Sequence, residues 1–229
     1  SEFLESPSYE LHDIYRALDI LGNECDFIQS EVYKNSNFLV ERNDKVLYYD
    51  CSNYYFEIEQ EDGDKKYGKS KEHRPNPIIQ MGLFMDGDGI PLAFSTFPGN
   101  ANEQTSLKPL EKKVISDFGC QKFIYCCDAG LASEDIRNFN HMGERSFIVT
   151  QSIKKLPSED KKWALDLTGF KRVPDNQPVN LSDIPEDDQY LYYKDEPYTT
   201  KKLHQRLIIT YSPKYALYQK TIREKQVER

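Results

Sequence analysis

Apolar and polar residues recur along this chain with two different periods. Between residues 9 and 36 the period is helical. Tyr15, Ala17, Leu18 and Leu21 fall on one stripe, and Gly22-Asn23 breaks it before a second short helix over 24–33. The pattern then becomes strand-like. KVLYYD at 45–50 and NYYFEIE at 53–59 are rich in Val, Tyr, Phe and Ile, and Asp62-Gly63-Asp64 follows them as a turn. A basic stretch, KKYGKSKEHRPNP, separates these from IIQMGLFM at 78–85, which reads as a buried strand. DGDG at 86–89 joins that strand to IPLAFSTF at 90–97, predicting a hairpin. The loop PGNANEQT leads into a helix over 105–118. FIYCC at 123–127 is a short continuous apolar run of the kind found in strands buried on both faces and paired in parallel. A helix over 133–142 and a strand, SFIVT, at 146–150 complete an α/β order.

After residue 150 the texture changes. Residues 151–200 carry many Pro, Asp, Lys and Tyr, with short strand candidates such as QYLYY at 189–193. RLIITY at 206–211 is a stronger one. Ser212 as N-cap and Pro213 in the first turn predict a final helix, with Tyr215, Tyr218 and Ile222 at helical spacing. No C-cap follows and the opening SEFLES has no pattern, so the sequence reads as a piece of a longer chain. The expected layout is a helical segment over 1–44, the first part of a core over 45–150, a β-rich insertion over 151–212 and the start of a helix over 213–229.

Composition narrows the classes. Of 229 residues 38% are hydrophobic, below the usual ~45–50%, but sixteen Tyr and twelve Phe suffice to fill a core. The longest apolar runs are far too short to span a bilayer. Five cysteines without a CxxC pair imply a reduced, cytoplasmic setting rather than a disulfide framework or zinc ribbon. His12, His73, His141 and His204 lack ligand spacing, and no Walker loop, GxSxG elbow or GxGxxG is present. A net charge of −8 argues against gripping nucleic acid by bulk charge. It leaves room for a nuclease, whose metal-binding carboxylates are acidic and whose DNA contacts are gathered in one patch.

Two acids stand out. Asp50 and Asp128 each end an apolar strand, and each precedes small residues, Cys51-Ser52 and Ala129-Gly130. A carboxylate at the end of a buried strand is costly unless paired or metal-bound. In open α/β sheets the ligand site lies beyond the carboxyl ends of the strands. If the two strands are parallel neighbours, the two acids meet at one edge and suit Mg²⁺ or Mn²⁺. Asp also favours strand ends and helix N-caps for ordinary reasons. The loop from Lys65 to Arg74 is the strong positive cluster, and Lys69, Lys71, His73 and Arg74 are candidates for phosphate contacts; a solvated hairpin loop would look the same. The strand aromatics Tyr48, Tyr49, Tyr54 and Tyr55 read as core residues.

Three stretches together resemble a known family. YYDCSNYYFE at 48–57, the run from Gly68 to Leu107 and IYCCDAGLAS at 124–133 look like the catalytic core of bacterial DDE transposases of the IS-four insertion-sequence group. The likeness continues more loosely through ITYSPKYALYQKTIRE at 208–224. It implies an RNase H-like mixed sheet flanked by helices, with a β-rich insertion after the fifth core strand. It implies metal-dependent strand cleavage and transfer on double-stranded DNA, two Mg²⁺ or Mn²⁺ ions, Asp50 and Asp128 as catalytic metal ligands, and a homodimer. It implies neither a membrane nor a small-molecule substrate. The chain departs from the family in having Ser52 for the usual Thr and in lacking the Tyr-Arg-Glu-Lys signature. Glu224 directly follows Arg223 and is not assigned as the third ligand, which is expected beyond Arg229. With two of three carboxylates the piece is expected to be inactive alone. The alternatives are a decayed or domesticated relative that binds DNA or protein without cutting, and an unrelated ligand- or protein-binding domain with incidental strand-end acids.

Overall fold

The computed structural model describes residues 8–200 and 203–227. The opening SEFLES lies outside the described residues. The chain divides into two compact units, Ser1–Thr150 and Gln151–Arg229.

The first unit runs α1 (Leu11–Asn23), α2 (Cys25–Ser36), β1 (Val46–Tyr55), β2 (Ile78–Met85), β3 (Pro91–Pro98), α3 (Glu103–Ser116), β4 (Ile124–Cys127), α4 (Glu134–Phe139) and β5 (Ser146–Val149). Its five strands form one mixed sheet in the order β3-β2-β1-β4-β5. β1, β2 and β3 are antiparallel neighbours, while β1, β4 and β5 are parallel. The reversal follows from connection length. DGDG turns tightly enough for a hairpin, whereas β4 and β5 are reached through α3 and α4, and parallel pairing needs such crossovers.

Alternation along β1 decides the core. Leu47, Tyr49 and Cys51 point to one face and are buried, and Tyr48, Asp50, Ser52 and Tyr54 point to the other and are exposed. The buried face continues through Phe84 and Tyr125 and is closed by Leu107, Leu110 and Val114 of α3, Ile136 of α4 and Tyr33 of α2. Tyr49 and Phe84 are cross-strand partners with ring centroids 4.8 Å apart. α1 buries no residue.

The second unit holds α5 (Ser158–Leu165), β6 (Phe170–Val173), β7 (Pro178–Val179), β8 (Leu191–Thr199), β9 (His204–Tyr211) and α6 (Pro213–Val227). Its sheet is wholly antiparallel, in the order β7-β6-β8-β9. The chain thus carries a mixed sheet flanked by helices and a separate antiparallel sheet, in general agreement with an RNase H-like arrangement. No helix among the described residues is long and apolar enough to cross a membrane.

Several expectations need correction. The two strands expected at 45–50 and 53–59 are one, because β2 pairs with β1 without a break from Tyr48–Met85 to Tyr55–Ile78. Asp50 therefore lies within a strand rather than at its end; only the parallel pairing with the short β4 stops near it. Tyr48 and Tyr54 are not core residues, since alternation turns them outward. Residues 158–165 are a helix that the polar composition concealed.

Candidate functional site

β1 and β4 pair in parallel at Val46–Ile124, Leu47–Tyr125 and Tyr48–Cys126. The ladder ends there, with Asp50 and Asp128 each two residues past its last pair. Asp128 continues the extended backbone of β4, with φ −78° and ψ 177°, so the alternation of faces persists. Both acids fall on the exposed face, on strands that neighbours hold about 4.8 Å apart. This edge is also where the strand order changes from antiparallel to parallel, the kind of position at which open sheets hold ligands.

The two carboxylates are held differently. Asp128 caps the short 3₁₀ turn Ala129–Leu131, its Oδ1 accepting from Gly130 N at 2.9 Å and Leu131 N at 3.2 Å. A Cβ on Gly130 would stand 3.3 Å from that oxygen, so glycine keeps the carboxylate uncrowded. Gln104, at the start of α3, donates through Nε2 to Gly130 O at 2.8 Å and pins the turn from the other side. Asp50 Oδ1 accepts from Cys51 N at 2.8 Å, and Oδ2 has no hydrogen-bond partner among the described residues. Beneath them the core is tight. The Tyr49 hydroxyl meets Ser106 Oγ at 2.9 Å and covers Gly82, where any side chain would collide with the ring.

Of the four basic candidates, one reaches Asp50. Lys71 Nζ lies 3.7 Å from Asp50 Oδ1 and donates to Cys51 O. Arg74 instead stacks over Tyr55, 5.0 Å from the ring centroid, with Glu72 3.9 Å from its Nε. Lys69 and His73 are exposed, and neither side chain has a partner among the described residues. His73 takes a left-handed φ of 57°, which bends the loop back.

Sequence reasoning missed how the loop is fixed. Asn53 Oδ1 accepts from Lys71 N at 3.3 Å. Gly68 approaches Gly99 so closely that a Cβ would overlap the Gly99 carbonyl, and Gly99 is equally confined between Lys66 and Ile78. The buried Gln80 donates to Gly99 O and Ala101 O, both at 2.8 Å. A glycine in a basic run and a Pro-Gly-Asn turn were visible along the chain, but their mutual contact was not. The DGDG turn also proves structural. Burial alone would raise Asp86, but the Arg42 guanidinium at 2.6 Å and the Ile90 and Asp88 amides hold its carboxyl below the usual range.

The Asp50–Asp128 pair suits a hard divalent cation in donor chemistry. Mg²⁺ is commonly held by one or two carboxylates with water and phosphate oxygens completing its shell. Among the described residues no group of three or more His, Cys, Asp or Glu is placed to hold a metal.

No family model matches this chain, and no curated protein matches it. Among solved structures, one titled "Mos1 transposase paired-end complex with left transposon end" is similar at 15% identity and a TM-score of 0.32. The similarity covers 65% of this chain and 45% of that one, so this chain spans less than half of its length. The likeness is distant.

Proposed function

We propose that the first unit is the two-aspartate part of an RNase H-like DDE core, belonging to a transposase that cleaves and transfers DNA strands with the help of divalent cations. The observation that supports this reading is the parallel β1–β4 pairing, since Asp50 and Asp128, both exposed, each lie two residues past its last pair. Asp50 and Asp128 would hold Mg²⁺ or Mn²⁺. In a complete site two such ions would supply, one the activation of a water or a DNA 3′-hydroxyl, the other the stabilisation of the leaving oxygen. The chain's own residues do the positioning: Gly130 and Gln104 fix the Asp128 turn, and the Gly68–Gly99 contact fixes the basic loop. Lys69, Lys71, His73 and Arg74 would contact DNA phosphates. The β-rich residues 151–212 would be an insertion in that core, and the working assembly a homodimer on paired DNA ends.

The test is a Mn²⁺ titration of the 229-residue chain, read by electron paramagnetic resonance of the free ion. Asp50→Asn and Asp128→Asn are each expected to weaken binding at least ~10-fold, as loss of a directly bound ligand should exceed the 10–100-fold range at its low end known for supporting residues. Unchanged binding in both variants would remove the metal reading. Neutralising Lys69, Lys71 and Arg74 together is expected to flatten the salt dependence of duplex binding by up to ~0.9 per lost phosphate contact.

A second reading, a DNA- or protein-binding relative that does not cut, is favoured by one observation. The Lys71 ammonium beside Asp50 already offsets the charge that a metal would balance. It predicts DNA binding with no Asp50-dependent Mn²⁺ uptake in the same titration.

A further inference from the structure

The proposed function brings a divalent cation to Asp50, and a cation already stands there. Lys71 belongs to a loop between β1 and β2, and its side chain reaches back across β1 to Asp50 Oδ1 at 3.7 Å and to Cys51 O. Its place is built from several sides. The Lys71 amide is taken by Asn53 of the same strand. Ser70 is buried, its carbonyl accepts from His73 N at 3.2 Å, and its hydroxyl accepts from Arg74 N at 3.2 Å. Upstream, Gly68 is locked against Gly99. The loop therefore sets the Lys71 ammonium against the strand while its side chain stays half exposed.

The neighbouring bases do not share this position. Arg74 is drawn off onto the Tyr55 ring, and Lys69 has no partner among the described residues. On the acid side, the neighbouring parallel strand β4 leads into a second exposed carboxylate, Asp128, two residues past the last β1–β4 pair, as Asp50 is. Two like charges at adjacent strand positions repel, and a positive group beside them relieves that repulsion. A divalent ion would relieve it more strongly at the same oxygen. Ammonium and metal cannot both approach Asp50 Oδ1 closely, because each is repelled by the other.

We propose that Lys71 is a resident counter-ion of Asp50, and that a divalent cation loads at the Asp50–Asp128 pair by displacing its ammonium. Lys71 is in this sense a positioning residue, acting on the metal through Asp50. The inference rests on the proposed function, and its failure is separable from failure of that reading. Exposed ion pairs are weak, so the competition is a matter of a few-fold rather than a block.

The experiment is a Mn²⁺ titration of the intact chain and three variants: Lys71→Met, Lys69→Met and Asp50→Asn. Lys71→Met is expected to tighten Mn²⁺ binding roughly 3- to 5-fold, the upper part of what exposed pairs support. Lys69→Met removes the same charge from the same loop. It is expected to shift affinity by less than about 1.5-fold, because a solvated charge at a distance is screened. If Lys71→Met binds no more tightly than Lys69→Met, the counter-ion role is overturned while the metal site stands. If Asp50→Asn binds as the parent chain does, or if none of the four proteins binds, the proposed function fails and takes this inference with it. A second readout follows the lysine itself. In protein whose lysines carry ¹³C-dimethyl labels, Mg²⁺ is expected to shift the Lys71 resonance, identified by its absence in Lys71→Met. The shift should vanish in Asp50→Asn. A Lys71 resonance indifferent to Mg²⁺ in the parent chain would overturn the displacement.

Discussion

The two sheets of this protein answer their charged residues in opposite ways. In the four-stranded sheet every neighbour is antiparallel, and β8 and β9 pair continuously from Tyr192–Tyr211 to Thr199–His204. Asp195 on β8 meets the Arg206 guanidinium across that pair. The acid is neutralised by a base a short distance away in sequence. In the five-stranded sheet, β1 takes β4 as a parallel neighbour across a long connection, and an exposed acid lies two residues past the last pair on each strand, Asp50 and Asp128. Among the described residues Lys71, from a loop, is the base that reaches Asp50. Antiparallel neighbours joined by short turns tend to settle charge locally. A parallel crossover instead brings together stretches far apart in sequence, so their charges are not settled by local pairing.

The sheets differ in their interiors as well. The first is backed by one continuous apolar cluster in which Phe84 lies between Tyr49 and Tyr125. The second rests on two small clusters, around Leu156, Ala164 and Leu207 and around Phe170, Leu181 and Tyr192. Beside them Lys194 is buried, its ammonium 4.8 Å from the Trp163 ring and 4.6 Å from the Phe170 ring. It donates to Trp163 O at 2.6 Å and Asp166 O at 2.5 Å. Burial pulls its pKa down, against the opposing pull of Asp166 and Glu196.

Three measurements bear on this contrast. The largest effect is expected from Phe84→Ala, which should destabilise the first unit by about 3–5 kcal/mol in urea denaturation, because the cavity opens between two packed aromatic rings. A loss below ~1 kcal/mol would mean that the five-stranded sheet is not organised around this residue.

Next is Glu111, fully buried on α3, with its carboxyl pushed up to about 7 by burial, against Asn140, Arg145 and Lys108, which pull it down. A carboxyl raised in the folded state binds a proton that the unfolded chain has already released. Stability is therefore fullest below about 4.5 and falls as pH rises toward about 7. The fall is about 1.4 kcal/mol per pH unit within that window, some ~3 kcal/mol in all. Glu111→Gln should remove this slope; an unchanged profile between pH 4.5 and 7 would assign the dependence elsewhere.

The smallest effect belongs to the second sheet. Arg206 is largely exposed, so Arg206→Ala should cost under ~1 kcal/mol despite its contact with Asp195. A larger cost would show that the antiparallel sheet depends on its charge pairs as the mixed sheet depends on Phe84.

Much of the architecture was legible along the chain. The apolar run ending at Cys127 is a parallel strand, DGDG is a hairpin turn, and Ser133 caps α4 through Ile136 N. These signals are local, carried by residues within one turn or strand of each other. The single strand β1 was harder to read, because Cys51 and Ser52 look like a break until β2 supplies uninterrupted partners. Residues 158–165 were missed because their helix shows almost no apolar periodicity, with Ala164 as its one buried residue.

By itself, the sequence determined most of the strands and helices of residues 1–150, the DGDG hairpin turn, and which acids and bases are available. Those depend on side-chain type and period, which need no distant partner. Only the tertiary structure decided that β4 is the parallel neighbour of β1, that Lys71 rather than Lys69 or Arg74 stands beside Asp50, and that Gly68 must be glycine because Gly99 is there. Each of these joins segments far apart in the chain. Such contacts follow from the register and crossover of the whole sheet, which no short window of sequence contains.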